Sequence, residues 1–391
     1  MERAYTRARE LCQQMGETSQ LFPVLWGLRR FYLVRAELRT ARDLGVQLLT
    51  LAQRVQTPAL LLEARQALGV TLSWLGELAP ARAHLEQGIA LHDSQQHHRS
   101  LALLYGGNDS GVGCLAHAAW ILWFLGYPDQ ALKRSLDALT LAQELGHPSG
   151  LALALLFAAT LHQYRREGKA TQERAETAIT LSREQGFPQW VAGGTVRRGW
   201  ALAEQGQREE GIEQIRQGIA AWRATGAEIG RPYYLALLAE TYGKVGQAKE
   251  GLSALAEALA VVNKTGERFY EAELYRLKGQ LTLQSKTSLG QGQDKSKTGQ
   301  KQVEDKSKTG QGKSKVEKEA EEYFLKAIEI ARRQQAKSLE LRAVMSLSRL
   351  WQQQGKKKEA HRMLVEIYGW FTEGFETKDL QEARALLEEL A

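Results

Sequence analysis

Eight histidines, two cysteines and nine tryptophans are the residues of this 391-residue chain whose side chains lend themselves to site chemistry. His84, His92, His97 and His98 lie close together, with His117 and His162 further on. A metal site needs ligands that converge at fixed helical spacing, and the adjacent His97 and His98 point apart on any helix. The cluster therefore reads as a solvated helix end. Cys12 and Cys114 have no partner spacing, which excludes a disulfide framework or a zinc knuckle and fits a reducing compartment. No Ser/His/Asp or Cys/His set has an orienting context for nucleophilic catalysis. A phosphate loop would read G-x-x-x-x-G-K-[ST] after a strand. Its nearest approach, Gly312-Lys313-Ser314, has Ser307 where the first glycine belongs and sits in a low-complexity tract. No enzyme, cofactor or metal is expected.

The tryptophans are a different matter. Trp120 and Trp200 share one repeat position, which elsewhere holds Arg30, Glu240, Gln280 and Arg349, while Trp26, Trp74 and Trp123 fall nearby on the same class of segment. Facing a groove, they would bind a peptide, a helix or a small effector, since Trp, Tyr and Arg dominate binding hot spots. Facing inward, they are stacking core. Both readings stay open. A glycine-rich stretch around Leu101 to Gly113 adds Tyr105, Asn108 and Asp109 as polar side chains at an irregular edge, suited to contact a ligand or partner, or else simply part of a longer connection.

What must position these residues is a repeat. Gly146, Gly186, Gly226 and Gly266 stand 40 apart, as do Ala119, Ala159, Gly199, Ala239 and Gly279, and Ala138, Ala178, Gly218 and Ala258. With insertions of 10 residues between repeats two and three and 29 within repeat seven, the register extends from Ala8 to Ile367. Each period reads as two amphipathic helices; in the second helix of one, Leu252, Leu255, Leu259 and Val262 keep the i, i+3, i+4 spacing of a single face. Glycine ends the helices, and the seven prolines fall in turns or first helical turns, so none is expected to interrupt a helix. Small residues at mid-helix let paired backbones approach closely. The expected fold is all-α, a right-handed α–α solenoid with eight helix pairs. Residues 1–16 form an orphan second helix, 1–283 and 319–391 the array, and Leu380 to Leu390 a C-terminal cap.

This pattern resembles the tetratricopeptide repeat, visible in Leu235, Leu238-Ala239, Tyr242, Gly246, Gly251, Leu255 and Ala258, with a period longer than the standard 34. In that repeat type the position of Trp120 and Trp200 faces the concave groove. Segments 101–132, 197–207, 231–247, 266–283 and 339–356 further look like the C-terminal helical region of large bacterial signalling proteins, which join a class III cyclase or other effector to an AAA-type or STAND ATPase. The resemblance implies a non-enzymatic scaffold for protein–protein interaction, the regulatory tail of such a protein, with an upstream ATPase or cyclase module or another protein as partner. The alternative it implies is an effector-sensing repeat domain like that of the maltose-type (MalT-like) transcription activators.

Residues 284–318 stand apart. DKSKTGQ occurs at 294–300 and again at 305–311, and the tract is too poor in apolar residues to bury a core, so disorder is expected. It also explains the charge. Of the net +7, this tract holds nine Lys against four acids, so the rest of the chain is nearly balanced and nucleic acid is an improbable partner. No segment reaches the ~18 apolar residues of a membrane span, and the charged N-terminus has no apolar signal region. A cytoplasmic protein is expected.

Overall fold

A computed structural model describes residues 18–93, 109–291 and 304–391. Among these there are seventeen helices and no strand, and the fold is an all-α solenoid of successive helix pairs. In chain order the helices are α1 (Thr18–Val34), α2 (Leu38–Val55), α3 (Pro58–Leu75), α4 (Leu78–Asp93), α5 (Ser110–Phe124), α6 (Pro128–Leu145), α7 (Pro148–Tyr164), α8 (Gly168–Glu184), α9 (Pro188–Glu204) and α10 (Arg208–Ala224). Then follow α11 (Arg231–Lys244), α12 (Ala248–Thr265), α13 (Glu271–Gln291), α14 (Glu304–Gln334), α15 (Lys337–Gln353), α16 (Lys357–Tyr368) and α17 (Lys378–Leu390). The chain divides into two compact units, Met1–Arg231 with Val261–Phe269, and Pro232–Ala260 with Tyr270–Ala391.

In the first unit each helix packs on the next from α1 to α10, and the first helices of adjacent pairs, α1, α3, α5, α7 and α9, also touch in succession. That double contact explains the uneven burial. Every residue of α5 is buried, whereas its partner α6 buries only one stripe, Pro128, Ala131, Ser135, Ala138, Leu139 and Ala142. In the second unit α13 to α17 follow the same order, around a core of Phe324, Leu341, Leu347, Leu364, Leu380 and Leu386.

Helix ends follow the sequence signals. Pro58, Pro128, Pro148 and Pro188 open α3, α6, α7 and α9, where a missing N–H costs nothing. Gly146 closes α6 in the left-handed conformation, φ 68°, its N–H bonded to the carbonyl of Ala142. Mid-helix glycines serve a different need. A Cβ at Gly199 of α9 would lie 2.7 Å from the carbonyl oxygen of Gly211 in α10, and one at Gly211 would lie 2.5 Å from that of Gly199, so these helices meet backbone to backbone.

Two expectations change. Pro23 lies inside α1, as its sixth residue. The tract expected to be disordered is helical where it is described, since α13 runs on to Gln291 and α14 starts at Glu304; 292–303 lies outside the described residues. So do the expected orphan helix, 1–16, and the loop residues Tyr105 and Asn108.

Two glycine substitutions separate the two roles. Gly146→Ala meets no neighbour, so it should cost only the left-handed backbone penalty, about 1 kcal/mol. Gly199→Ala must push helices apart and should cost about 2–3 kcal/mol as overpacking. Urea unfolding of both variants checks the order.

Candidate functional site

The turns that follow α10 and α12 are unlike earlier turns of the same register. At the register positions where α7 and α9 carry Ser149 and Gln189 in their first turns, these turns carry Ile229 and Phe269. Ala227, Ile229, Glu267 and Phe269 are all buried. The N–H groups of Glu228 and Ile229 donate to the carbonyl of Val34 at the end of α1, at 2.9 and 3.2 Å. The N–H of Arg268 donates to the carbonyl of Trp74 near the end of α3, at 2.9 Å. Both acceptors are helix-terminal carbonyls that have no partner within their own helix. Trp222 Nε1–H ties down the first turn by donating to the Ile229 carbonyl at 2.9 Å, and Gly230 N–H donates to both oxygens of the Glu267 carboxyl at 3.2 and 3.0 Å.

This docking delivers Phe269 into the aromatic set picked out from the sequence. Its ring centroid lies 5.0 Å from Trp74, edge to face, 5.7 Å from Phe124 and 6.4 Å from Trp120. Trp120 in turn stacks on Phe157 at 4.0 Å, and its Nε1–H donates to the Phe157 carbonyl at 3.3 Å. The apolar space left among Trp74, Trp120, Phe124 and Phe269 is about 10 Å³.

Of the two readings left open for the tryptophans, the burial of three of them fits stacking core. Trp120, Trp123 and Trp200 are 5%, 2% and 1% exposed, and so form packed interior rather than an open face. Trp74 is half-buried against Phe269, and Trp26 is half-buried, with the Arg30 guanidinium 5.7 Å from its ring centroid. Glu240 and Arg349 belong to the second unit, where each has its own ion pair, Lys244 at 3.1 Å and Glu382 at 3.3 Å. Asp109 caps α5, its carboxylate accepting the Val112 N–H at 3.0 Å, which is a structural duty. Among the described residues no group of His, Cys, Asp and Glu is arranged to hold a metal ion, and no helix is long and apolar enough to cross a membrane.

Charge converges instead on a recess of about 1290 Å³ beside the docked turns, all within the first unit. The α1–α2 turn and the start of α2 contribute Arg35, Arg39 and Arg42 with Glu37 and Asp43. Glu77, just after α3, is a further carboxylate. The turn after α10 and its flanks give Arg223, Glu228 and Arg231, and the end of α12 with its turn gives Lys264 and Arg268. Seven cations therefore face four carboxylates. Three pairs are made within the wall: Arg35–Glu37 at 3.0 Å, Arg42–Glu77 at 2.7 Å and Arg231–Glu228 at 3.0 Å. Arg39, Arg223 and Lys264 are exposed and make no ion pair among the described residues. The sequence holds a faint trace of this site, the apolar Ile229 and Phe269 at register positions that hold Ser149 and Gln189 in other repeats; the convergence of cations from three segments leaves no local trace.

Several ionisable groups of the first unit are buried, among them His117, whose ring lies 4.4 Å from that of Phe157 and 5.9 Å from that of Trp120. Burial pushes the Glu267 carboxyl up to about 8, only partly countered by the Gly230 N–H. Burial likewise raises Glu63 to about 7 against hydrogen bonding from Ser110, and lowers His117 to about 4 and Arg29 to about 9. Arg29 has polar partners in α3, the Thr71 hydroxyl at 3.2 Å and the Ala67 carbonyl.

No family model matches this chain. An uncharacterised protein of Rhizobium meliloti (strain 1021) is 24% identical over 284 residues, which are 71% of this chain and 27% of that protein. The chain thus spans little more than a quarter of the length of the curated relative it matches. Among solved structures, a monomeric IFIT1 mutant with m7Gppp-AAAA shares 16% identity over 94% of this chain and 77% of its own, with a TM-score of 0.51. The Signal Transduction ATPase with Numerous Domains (STAND) protein with a tetratricopeptide repeat sensor from Pyrococcus horikoshii shares 12% identity over 100% of this chain and 54% of its own, with a TM-score of 0.47. At such identities the likeness is one of fold, the helical repeat array.

Two predictions follow from the docked turns. Phe269→Ala removes a ring enclosed by three others and should cost about 3–5 kcal/mol, as should Trp120→Ala, measured by chemical unfolding. The folded chain holds the Glu267 proton more tightly than the unfolded chain, so stability falls as pH rises from the unfolded value towards 8. Between pH 6.5 and 8 this group should account for a loss of about 1.5 kcal/mol. Denaturation at both pH values should show that loss in the wild type and a correspondingly smaller one in Glu267→Gln.

Proposed function

We propose that this chain is a non-enzymatic repeat scaffold that mediates protein–protein interaction, and that it serves as the regulatory tail of a larger bacterial signalling protein of the ATPase or cyclase kind. The observation that carries this reading is the state of the aromatic centre. Because Phe269 fills it, the first unit offers a partner an open charged recess and helix surfaces rather than an apolar pocket. Repeat arrays present such surfaces because each pair uses its apolar faces on its neighbours. That the chain acts as part of a larger protein draws support from the Rhizobium meliloti protein, in which the similar segment makes up 27% of the length. A small-molecule sensor is less well served, since the space beside Trp74 and Trp120 is about 10 Å³, against the ~300–1,000 Å³ of small-molecule sites.

The test begins with the reading frame directly upstream of Met1. An ATPase or cyclase module there, purified and mixed with this chain, should form a complex on size exclusion and change its nucleotide turnover at least two-fold. A DNA-binding helical domain in its place, with no complex, would turn the choice to the effector sensor.

A further inference from the structure

The geometry points to an acidic, extended peptide segment of another protein as the occupant of the recess in the first unit. This deepens the scaffold reading and rests on it. The walls come from segments far apart in sequence, the α1–α2 turn, the end of α3, and the turns after α10 and α12. The turns after α10 and α12 are tied to α1 and α3 by the hydrogen bonds to Val34 and Trp74, so the segments that carry the cations are brought together before any ligand arrives. Preorganisation of this kind lowers the entropy cost of binding.

Size and charge choose the ligand class. At about 1290 Å³ the recess exceeds the ~300–1,000 Å³ of small-molecule sites and suits a stretch of polypeptide. After the internal pairs are formed, Arg39, Arg223 and Lys264 remain to bind carboxylates, while Asp43 is the one wall carboxylate without an ion pair among the described residues. A single-stranded nucleic acid fits less well. No aromatic side chain lines the recess for bases to stack on, and the interleaved carboxylates would repel a continuous phosphate backbone. A peptide can carry basic residues opposite Asp43 and acidic ones opposite the three cations. The chain's own low-complexity tract is no competitor, since 284–318 is itself lysine-rich.

The experiment is a fluorescence-anisotropy titration of the full chain with a labelled ten-residue peptide of alternating Asp and Glu. A matched Asn/Gln peptide and a ten-nucleotide oligoadenylate serve as the other probes. The recess variant is Arg39→Glu/Arg223→Glu/Lys264→Glu, all at exposed positions. The control variant reverses three exposed cations elsewhere, Lys133→Glu/Lys169→Glu/Arg183→Glu. Thermal unfolding confirms that both fold. Expected are binding of the acidic peptide only, a loss of at least ten-fold in the recess variant, less than two-fold in the control, and weakening with salt. Equal losses in both variants, absence of acidic-peptide binding, or tighter and recess-dependent binding of the oligonucleotide would each overturn the assignment. Should the recess variant still bind the upstream module while losing nothing towards the peptide, the inference falls and the scaffold reading stands. Recess-dependent peptide binding with no complex formed with the upstream module would leave the inference standing and overturn that module as the partner.

Discussion

Two backbone carbonyls, those of Val34 and Trp74, accept N–H groups from residues 194 positions further along, Glu228 and Arg268. The acceptors are one 40-residue period apart, and so are the donors. A strict period thus turns one long-range contact into two, because whatever brings one repeat beside another brings its successor beside the next. The remaining features of the first unit depend on this pairing. It carries Phe269 among Trp74, Trp120 and Phe124, removes Glu267 from water, and sets the guanidinium groups of the α1–α2 turn opposite those of the turns after α10 and α12.

The architecture was legible because its signals are local and repeated. Proline at the first turn and glycine at the last mark the same boundaries in pair after pair, and the mid-helix Gly199 announces the close backbone approach that it makes to Gly211. The fate of Trp120 and Trp200 was not legible. Their repeat position would face a groove, but whether a groove is open depends on what a distant segment places in it. The replacement of Ser149 and Gln189 by Ile229 and Phe269 at one repeat position was the available sign, since an apolar side chain where other repeats place a polar one needs something to cover it. Pro23 shows a smaller limit of the same kind, as a helix beginning only five residues before it was not visible in the pattern.

Net charge misled in the opposite direction. The surplus of +7 lies mostly in 284–318, which leaves the rest of the chain close to neutral. Near-neutrality in the sum is nevertheless compatible with strong local asymmetry. Seven cations and four acids share one recess, three of the cations without an ion pair among the described residues, and only the folded arrangement reveals that they do.

The 194-residue span has a consequence for the order in which the chain can fold. An ordinary repeat array needs only neighbours, so each pair can settle as soon as the next has been made. Here α1 to α5 can stack early, yet Trp74 and Trp120 stay without their covering ring until residue 269 has left the ribosome. A chain made from its N-terminus therefore passes through a stage with apolar aromatic surface uncovered, and covering it takes a long loop closure of the kind that slows folding and invites misassembly.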